Sequence, residues 1–382
     1  MAFVHCGSEE CTKSELDLFQ IAPTQTSIEK SIYIEVPPLS AVTESAPIDF
    51  FIAGNGIDYM DLNNTLLYLC CKIVKGDGTE LAADAEVGLV NYPVASIFSQ
   101  LDVTLGDRLV SQSNNCYPYR AFIESVLNYS DDTLATQFSA GLFYKDTAGQ
   151  HEKTELDGEN LGFVKRAKLT AQSRTVELLG HLHSDLFFQE KLLLNGVDVK
   201  IKLTRSKDAF CLMGSAAEGF KLRIVSASLF VKKVRVAPGV RLGHAEALLA
   251  ANAKYPVDRV GMKVFSIPAG SRVPTKPLQP DFEAGRCVRE YINLVQTAGK
   301  HMKDRSLLID REEFAQGYTL FAFDLSPDQE CADHYSLIKT GNLRAEIRFG
   351  KALTVTVNMI VYGVFDNVIE INQRRNVLFD YM

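Results

Sequence analysis

Along residues 197–204 the chain alternates strictly. Val197, Val199, Ile201 and Leu203 are separated by Asp198, Lys200 and Lys202, and Thr204 follows. A period of two puts the aliphatic groups on one face of a strand and the polar ones on the other. Apolar and β-branched runs of similar length recur at 32–36, 48–52, 65–74, 97–105 and 222–236, separated by turn residues, which is the pattern of an all-β sandwich. Asn195-Gly196 predicts a tight hairpin turn that folds 191–194 back on 197–204. Gly106-Asp107 predicts another between 100–105 and 108–110, and Gly76-Asp77-Gly78 closes a further run. Residues 1–28 lack sustained periodicity and read as a polar, mobile arm.

Helical patterns are few and short. Pro118 suits a first helical turn, and Tyr119, Phe122, Ile123, Val126 and Leu127 then form an apolar stripe that should pack on a sheet. An Ala-rich stretch over 243–253 follows Pro238-Gly239 and marks a junction near residue 237. Beyond it the period of two returns, with Leu343, Ala345, Ile347 and Phe349 apolar, and again over 354–361. The expected fold is therefore all-β with short helices: an arm at 1–28, a first sandwich at 29–237 and a second at 238–382. No short internal repeat suggests a propeller or solenoid.

A length of 382 residues supports two domains, and 46% hydrophobic with 23% charged residues is an ordinary globular balance. The net charge of -7 provides no global attraction to phosphate backbones, so direct sequence-specific nucleic-acid binding is not expected. The basic pairs Arg374-Arg375 and Lys232-Lys233 read as strand-face or turn residues. The first residues resemble no signal peptide, and no apolar run reaches the roughly 20 residues of a membrane span, so a soluble, intracellular product is expected. The eight cysteines form no C-x-x-C unit, and Cys70 and Cys71 would point to opposite faces of a strand.

Catalytic signatures are sparse. Gly54-Asn55-Gly56 is followed by Tyr59 where a dinucleotide loop needs glycine, and neither a P-loop, nor H-E-x-x-H, nor a G-x-S-x-G elbow occurs. The strongest lead is His181 and His183, two residues apart on one strand face, with Glu190 after them, the kind of pair a cupin-like metalloenzyme uses. The glutamate lies too far on and no third histidine completes a ligand set. His5 with Cys6 and Cys11 is a weaker cluster, and Asp58, Asp61, Asp310, Glu312, Glu313 and Asp324 read as caps and turns. No catalytic, cofactor-binding or metal residue is assigned, and no cofactor is expected.

Several longer stretches carry a resemblance: residues 59–68 (YMDLNNTLLY), 96–103, 116–121, 186–199 (LFFQEKLLLNGVDV), 205–210, 317–325 and 376–381. In these the chain resembles the double jelly-roll major capsid proteins of Polinton/Maverick and adintovirus-type elements, with related proteins encoded in animal genomes. The resemblance implies two consecutive jelly rolls, no enzyme activity and a homotrimeric, pseudo-hexameric capsomer tiling an icosahedral shell around double-stranded DNA. It also implies a penton or minor capsid protein as partner, synthesis in the host cytoplasm, assembly in the nucleus and a place in the virion. Family members carry several tens of additional residues between 266–270 and 276–282, where this chain has five, so a shortened second jelly roll is expected. A cupin-like metalloenzyme and a domesticated host binding protein that no longer assembles are the alternatives.

Overall fold

The computed structural model describes residues 5–267, 278–326 and 349–379 except 12, 45 and 305, together with 334, 335, 337, 345 and 347. In chain order the first strands are β1 (Ile28–Val36), β2 (Ile48–Ile52), β3 (Asp58–Val74), β4 (Val87–Leu89), β5 (Phe98–Leu105) and β6 (Arg108–Gln112). They are followed by β7 (Val176–His181), β8 (Val199–Arg205), β9 (Leu212–Gly214) and β10 (Lys221–Val236). One antiparallel sheet has the order β1-β10-β3-β7 and another β2-β8-β5-β6, while β4 and β9 form a separate short pair. Leaving that pair aside, the eight remaining strands join first to last, second to seventh, third to sixth and fourth to fifth. A long antiparallel ribbon rolled on itself gives this pairing, and it is the connectivity of a jelly roll.

Alternation then decides what is buried. On β3, Leu67, Leu69, Cys71 and Ile73 are fully buried, and on β8, Val199, Ile201 and Leu203 are buried while Lys200 and Lys202 face solvent. Both sheets supply these faces to one hydrophobic core. The Cys71 and Cys211 thiols lie inside it, where burial pushes each up to about 12 and removes thiolate character. The β10–β3 ladder shifts register twice, with an extra residue at Val225 of β10 and with 62–65 of β3 looped out opposite Val231.

The 106–107 turn forms as expected, with Leu105 opposite Arg108 and Gly106 at φ 57. The 195–196 turn does not close the expected hairpin. Gly196 adopts φ 76, but Leu193 bridges to Met60 on β3 instead of to β8, whose two edges are taken by β2 and β5. The physical reason lies at Asn195, whose carbonyl and side chain are held by Arg375 and whose amide donates to the Gly56 carbonyl.

Helices are more numerous than the periodicity suggested. α1 (Pro93–Ser96), α2 (Tyr117–Asn128), α3 (Asp131–Thr136), α4 (Leu161–Thr170) and α5 (Asp208–Cys211) lie between strands of the first half. Pro118 does sit in the first turn of α2, and of the expected stripe Val126 is buried and Phe122 and Leu127 pack half-buried against the core, but Tyr117, Arg120, Ala121, Glu124 and Ser125 are buried as well. Tyr119 is exposed, because the positions facing inward are bound through charge and hydroxyl groups.

In the second half, α6 (Pro238–Ala250) leads into β11 (Ala253–Ile267), which pairs along its whole length with β12 (Val357–Ile371); β13 (Val377–Leu378) completes a three-stranded sheet. The helix thus starts and ends earlier than 243–253, and the strand expected at 354–361 begins at Val357 and runs ten residues further. α7 (Val288–Thr297) and α8 (Arg311–Ala315) lie between β11 and β12 in sequence. The expected strand at 343–349 falls largely outside the described residues, as do Cys331, the ends of the terminal motif at 380–381 and the short spacing at 268–277. The fold is mostly β with short helices and several antiparallel sheets. No helix among the described residues is long and apolar enough to cross a membrane.

Candidate functional site: an ionic network beneath the second-half ribbon

The charged groups that α2 buries form a network. Arg120 Nε donates to Glu124 Oε1 at 2.7 Å, one turn along the helix, and Arg120 Nη2 donates to Asp185 Oδ1 at 2.6 Å. The other oxygen of Glu124 lies 2.9 Å from His183 Nδ1, and His183 Nε2 lies 3.0 Å from the Tyr92 hydroxyl. A carboxylate only accepts, so Nδ1 of His183 donates to Glu124, while Nε2 hydrogen-bonds to the Tyr92 hydroxyl. Two contacts reach the second half: the Val260 N–H of β11 donates to Asp185 at 3.3 Å, and the Tyr362 hydroxyl of β12 donates to Glu124 at 3.5 Å. Arg120, Glu124, His183 and Asp185 are all at least nine-tenths buried.

Burial shapes each ionisation. It opposes charge on Arg120, but the two carboxylates hold the guanidinium protonated above its ordinary value. Burial alone would raise the Glu124 carboxyl; Arg120 and His183 reverse this and keep it below the usual glutamate value. At Asp185 burial wins, and the carboxyl titrates above the usual aspartate value despite Arg120. Beside the network lies a cavity of about 80 Å³ lined by Ser111, Ser113, Arg120, Asp185 and Val260. That is room for water only, well below the roughly 300–1,000 Å³ of a small-molecule site.

The network ties α2 and the segment after β7 to the β11–β12 ribbon. Two further ties run in parallel. Arg375, after β12, binds Asn195 through Nε at 2.7 Å and Nη2 at 3.0 Å. Lys145 bridges to Glu313 of α8 and lies 4.5 Å above the Tyr318 ring, whose hydroxyl donates to the Asp146 carbonyl at 2.7 Å.

The residues singled out in the sequence fall differently. His181 ends β7, and burial lowers its pKa; His183 lies beyond the strand with both ring nitrogens engaged, and Glu190 is exposed. Among the described residues no three His, Cys, Asp or Glu side chains gather as metal ligands. Asp58 pairs with Arg235, whose hydrogen bond holds the carboxyl low, and Asp61 pairs with Lys232. Lys233 donates to the Ala53 carbonyl at 3.2 Å. Asp310 caps α8 in a capping box with Glu313, and Asp324 accepts from the Ser326 amide. Gly54 is there for close packing: a Cβ would stand 2.5 Å from the Val197 carbonyl oxygen. His5, Cys6 and Cys11 are exposed.

Sequence reasoning did not single out Tyr92, Arg120, Glu124, Asp185 or Tyr362. The available signal was the Arg120–Glu124 spacing of four within a helix, an i,i+4 pair of opposite charge.

No family model matches the chain. An uncharacterized protein of Caenorhabditis elegans is 22% identical over 424 residues, covering 94% of this chain and 99% of that one. That alignment is longer than 382 residues, so the nematode protein carries residues with no counterpart here. Among solved structures, a chain of the 3.5 Å cryo-EM structure of the Sputnik virophage superposes with a TM-score of 0.47 at 12% identity over 72% of this chain and 59% of that one. The PBCV-1 virus capsid gives 0.42 at 12% identity over 66% and 52%, and the mavirus major capsid protein 0.39 at 10% over 71% and 60%. The chain spans between about half and three-fifths of the length of these solved structures.

Proposed function

We propose that this chain is a structural shell subunit, a double jelly-roll capsid protein that associates into homotrimeric, pseudo-hexagonal capsomers. The observation that carries the reading is the pairing of eight strands in the first half, first with last through fourth with fifth, in a chain whose sequence motifs resemble that capsid family. The buried polar groups support it. Their donors and acceptors are spent on holding the second-half ribbon against the first sandwich, as a subunit that transmits load between neighbours requires.

On this reading residues 29–237 form the first jelly roll and 238–382 the second, shortened one, with the virion as location and a penton or minor capsid protein as further partner. No bond-making step is required. Association of three copies needs heterologous contacts that close into a ring, each burying on the order of 1,000 Å² or more. Light scattering on the eluting protein should give about three times the 42.3 kDa chain mass, or a larger multiple of three. A well-folded species that stays at one chain mass at the highest soluble concentration would sink the proposal.

A further inference from the structure

The second half carries a larger cavity, of about 460 Å³, at the N-terminal ends of α7 and α8. It is lined by Gln279, Arg286, Val288, Arg289, Glu290 and Arg311. A volume in the range of roughly 300–1,000 Å³ is that of a small-molecule site. The loop leading into α7 is fixed: Asp281 and Arg286 exchange both backbone hydrogen bonds, the Asp281 carboxylate accepts from the Ala284 amide, and Gly285 turns at φ 64.

Positive charge converges here from two sources. Arg286, Arg289 and Arg311 bring three guanidinium groups to the cavity. Arg286 spends Nη2 on Asp281, which leaves Nε and Nη1, and Arg311 makes no ion pair among the described residues. The carboxylates next to Arg311 in α8 do not neutralise it, since Asp310 and Glu313 form the capping box and Glu313 also holds Lys145. The second source is α7 itself. Its ten residues start at Cys287, whose side chain supplies no cap, and the Val288 and Glu290 N–H groups have no acceptor among the described residues. Uncapped N–H groups at a helix start favour an anion.

One lining residue has the opposite sign. Glu290 is 5% exposed and its carboxylate has no hydrogen bond or ion pair among the described residues. A buried acceptor without a donor costs free energy, and next to a bare anion it would also repel it. A ligand that turns a hydroxyl to Glu290 and an anion to the arginines satisfies both.

We infer that this cavity binds a phosphorylated sugar. Arg286, Arg289, Arg311 and the start of α7 hold the phosphoryl group, and a sugar hydroxyl donates to Glu290. One copy supplies every lining residue, so the inference is independent of self-association.

Calorimetric titration of the full chain at low ionic strength tests it. Ribose 5-phosphate should bind one to one, inorganic phosphate at least about tenfold more weakly, and ribose not at all, because only the first engages the arginines and Glu290 together. Arg311→Glu, at an exposed position, should unfold at the same temperature as the unaltered chain and lose at least about tenfold in affinity for both phosphates. Glu290→Gln should weaken ribose 5-phosphate and strengthen inorganic phosphate, opposite changes that a merely structural role would not produce. A 5′-phosphorylated oligonucleotide that displaces ribose 5-phosphate would make a nucleic-acid end the source of the group; failure to displace it would make the source a free sugar phosphate.

The inference is overturned if ribose 5-phosphate does not bind at millimolar concentration, if Arg311→Glu leaves its binding unchanged, or if it binds no better than inorganic phosphate. Should Glu290→Gln fail to fold, the comparison of the two phosphates and the Arg311 variant still decide.

Discussion

Arg120→Met is expected to lower the stability of the chain by about 3–5 kcal/mol in urea denaturation at pH 7, because it removes the only guanidinium between two buried carboxylates and leaves Glu124 and Asp185 uncompensated. Most of this cost comes from the charges left behind. The triple variant Arg120→Met, Glu124→Gln, Asp185→Asn should therefore recover part of it, since no buried charge remains.

The pH dependence gives a second reading of the same change. In the unaltered chain Glu124 is held below its ordinary value, so its contribution is present above the unfolded pKa and is lost as pH falls through the depressed one. Asp185 acts in the opposite sense, since a raised carboxyl favours the fold more as pH falls. Without Arg120 both carboxyls would be raised, and the deficit should shrink between pH 7 and pH 4.5. A deficit under about 1 kcal/mol, or one equal at the two pH values, would show that the network does not hold the ribbon as described.

Phe50→Ala and Phe51→Ala, neighbours on β2, should behave very differently. Phe50 is 1% exposed in the core shared by the two sheets, and its truncation should cost about 3–5 kcal/mol. Phe51 points to the other face and is half-buried, so its loss should cost about 1 kcal/mol or less. Thermal unfolding of the pair checks the register of a whole sheet, because a shift of one residue along β2 would exchange the two results.

Strands such as β8 were legible because they are buried on one face only. The alternation over 197–204 reappears as the buried Val199, Ile201 and Leu203 against the exposed Lys200 and Lys202. What periodicity left open was pairing. Nothing local to Asn195-Gly196 says that an arginine 180 positions later will hold Asn195, or that Leu193 will bridge to Met60.

The helix at 117–128 shows a second limit. An apolar stripe marks the buried face only when the buried groups are apolar, and here Arg120 and Glu124 turn inward because Asp185 and His183 await them. Short helices such as α1 and α5 are four residues each and carry no period at all. Of the network, the i,i+4 pair was visible in the sequence; its partners from the segment after β7 and from β11 and β12 come together only through long-range folding. His183 was noticed for a role in metal binding, and its hydrogen bonds place it in the tie instead.

The account stands or falls on whether copies of this chain build a closed assembly from jelly-roll subunits. Cryo-electron microscopy of the purified full-length chain at high concentration tests this most directly. The predicted result is particles with threefold-symmetric capsomers, each copy showing the β1-β10-β3-β7 and β2-β8-β5-β6 sheets packed face to face about one core. Single, well-folded chains with no recurring contact between copies would contradict it.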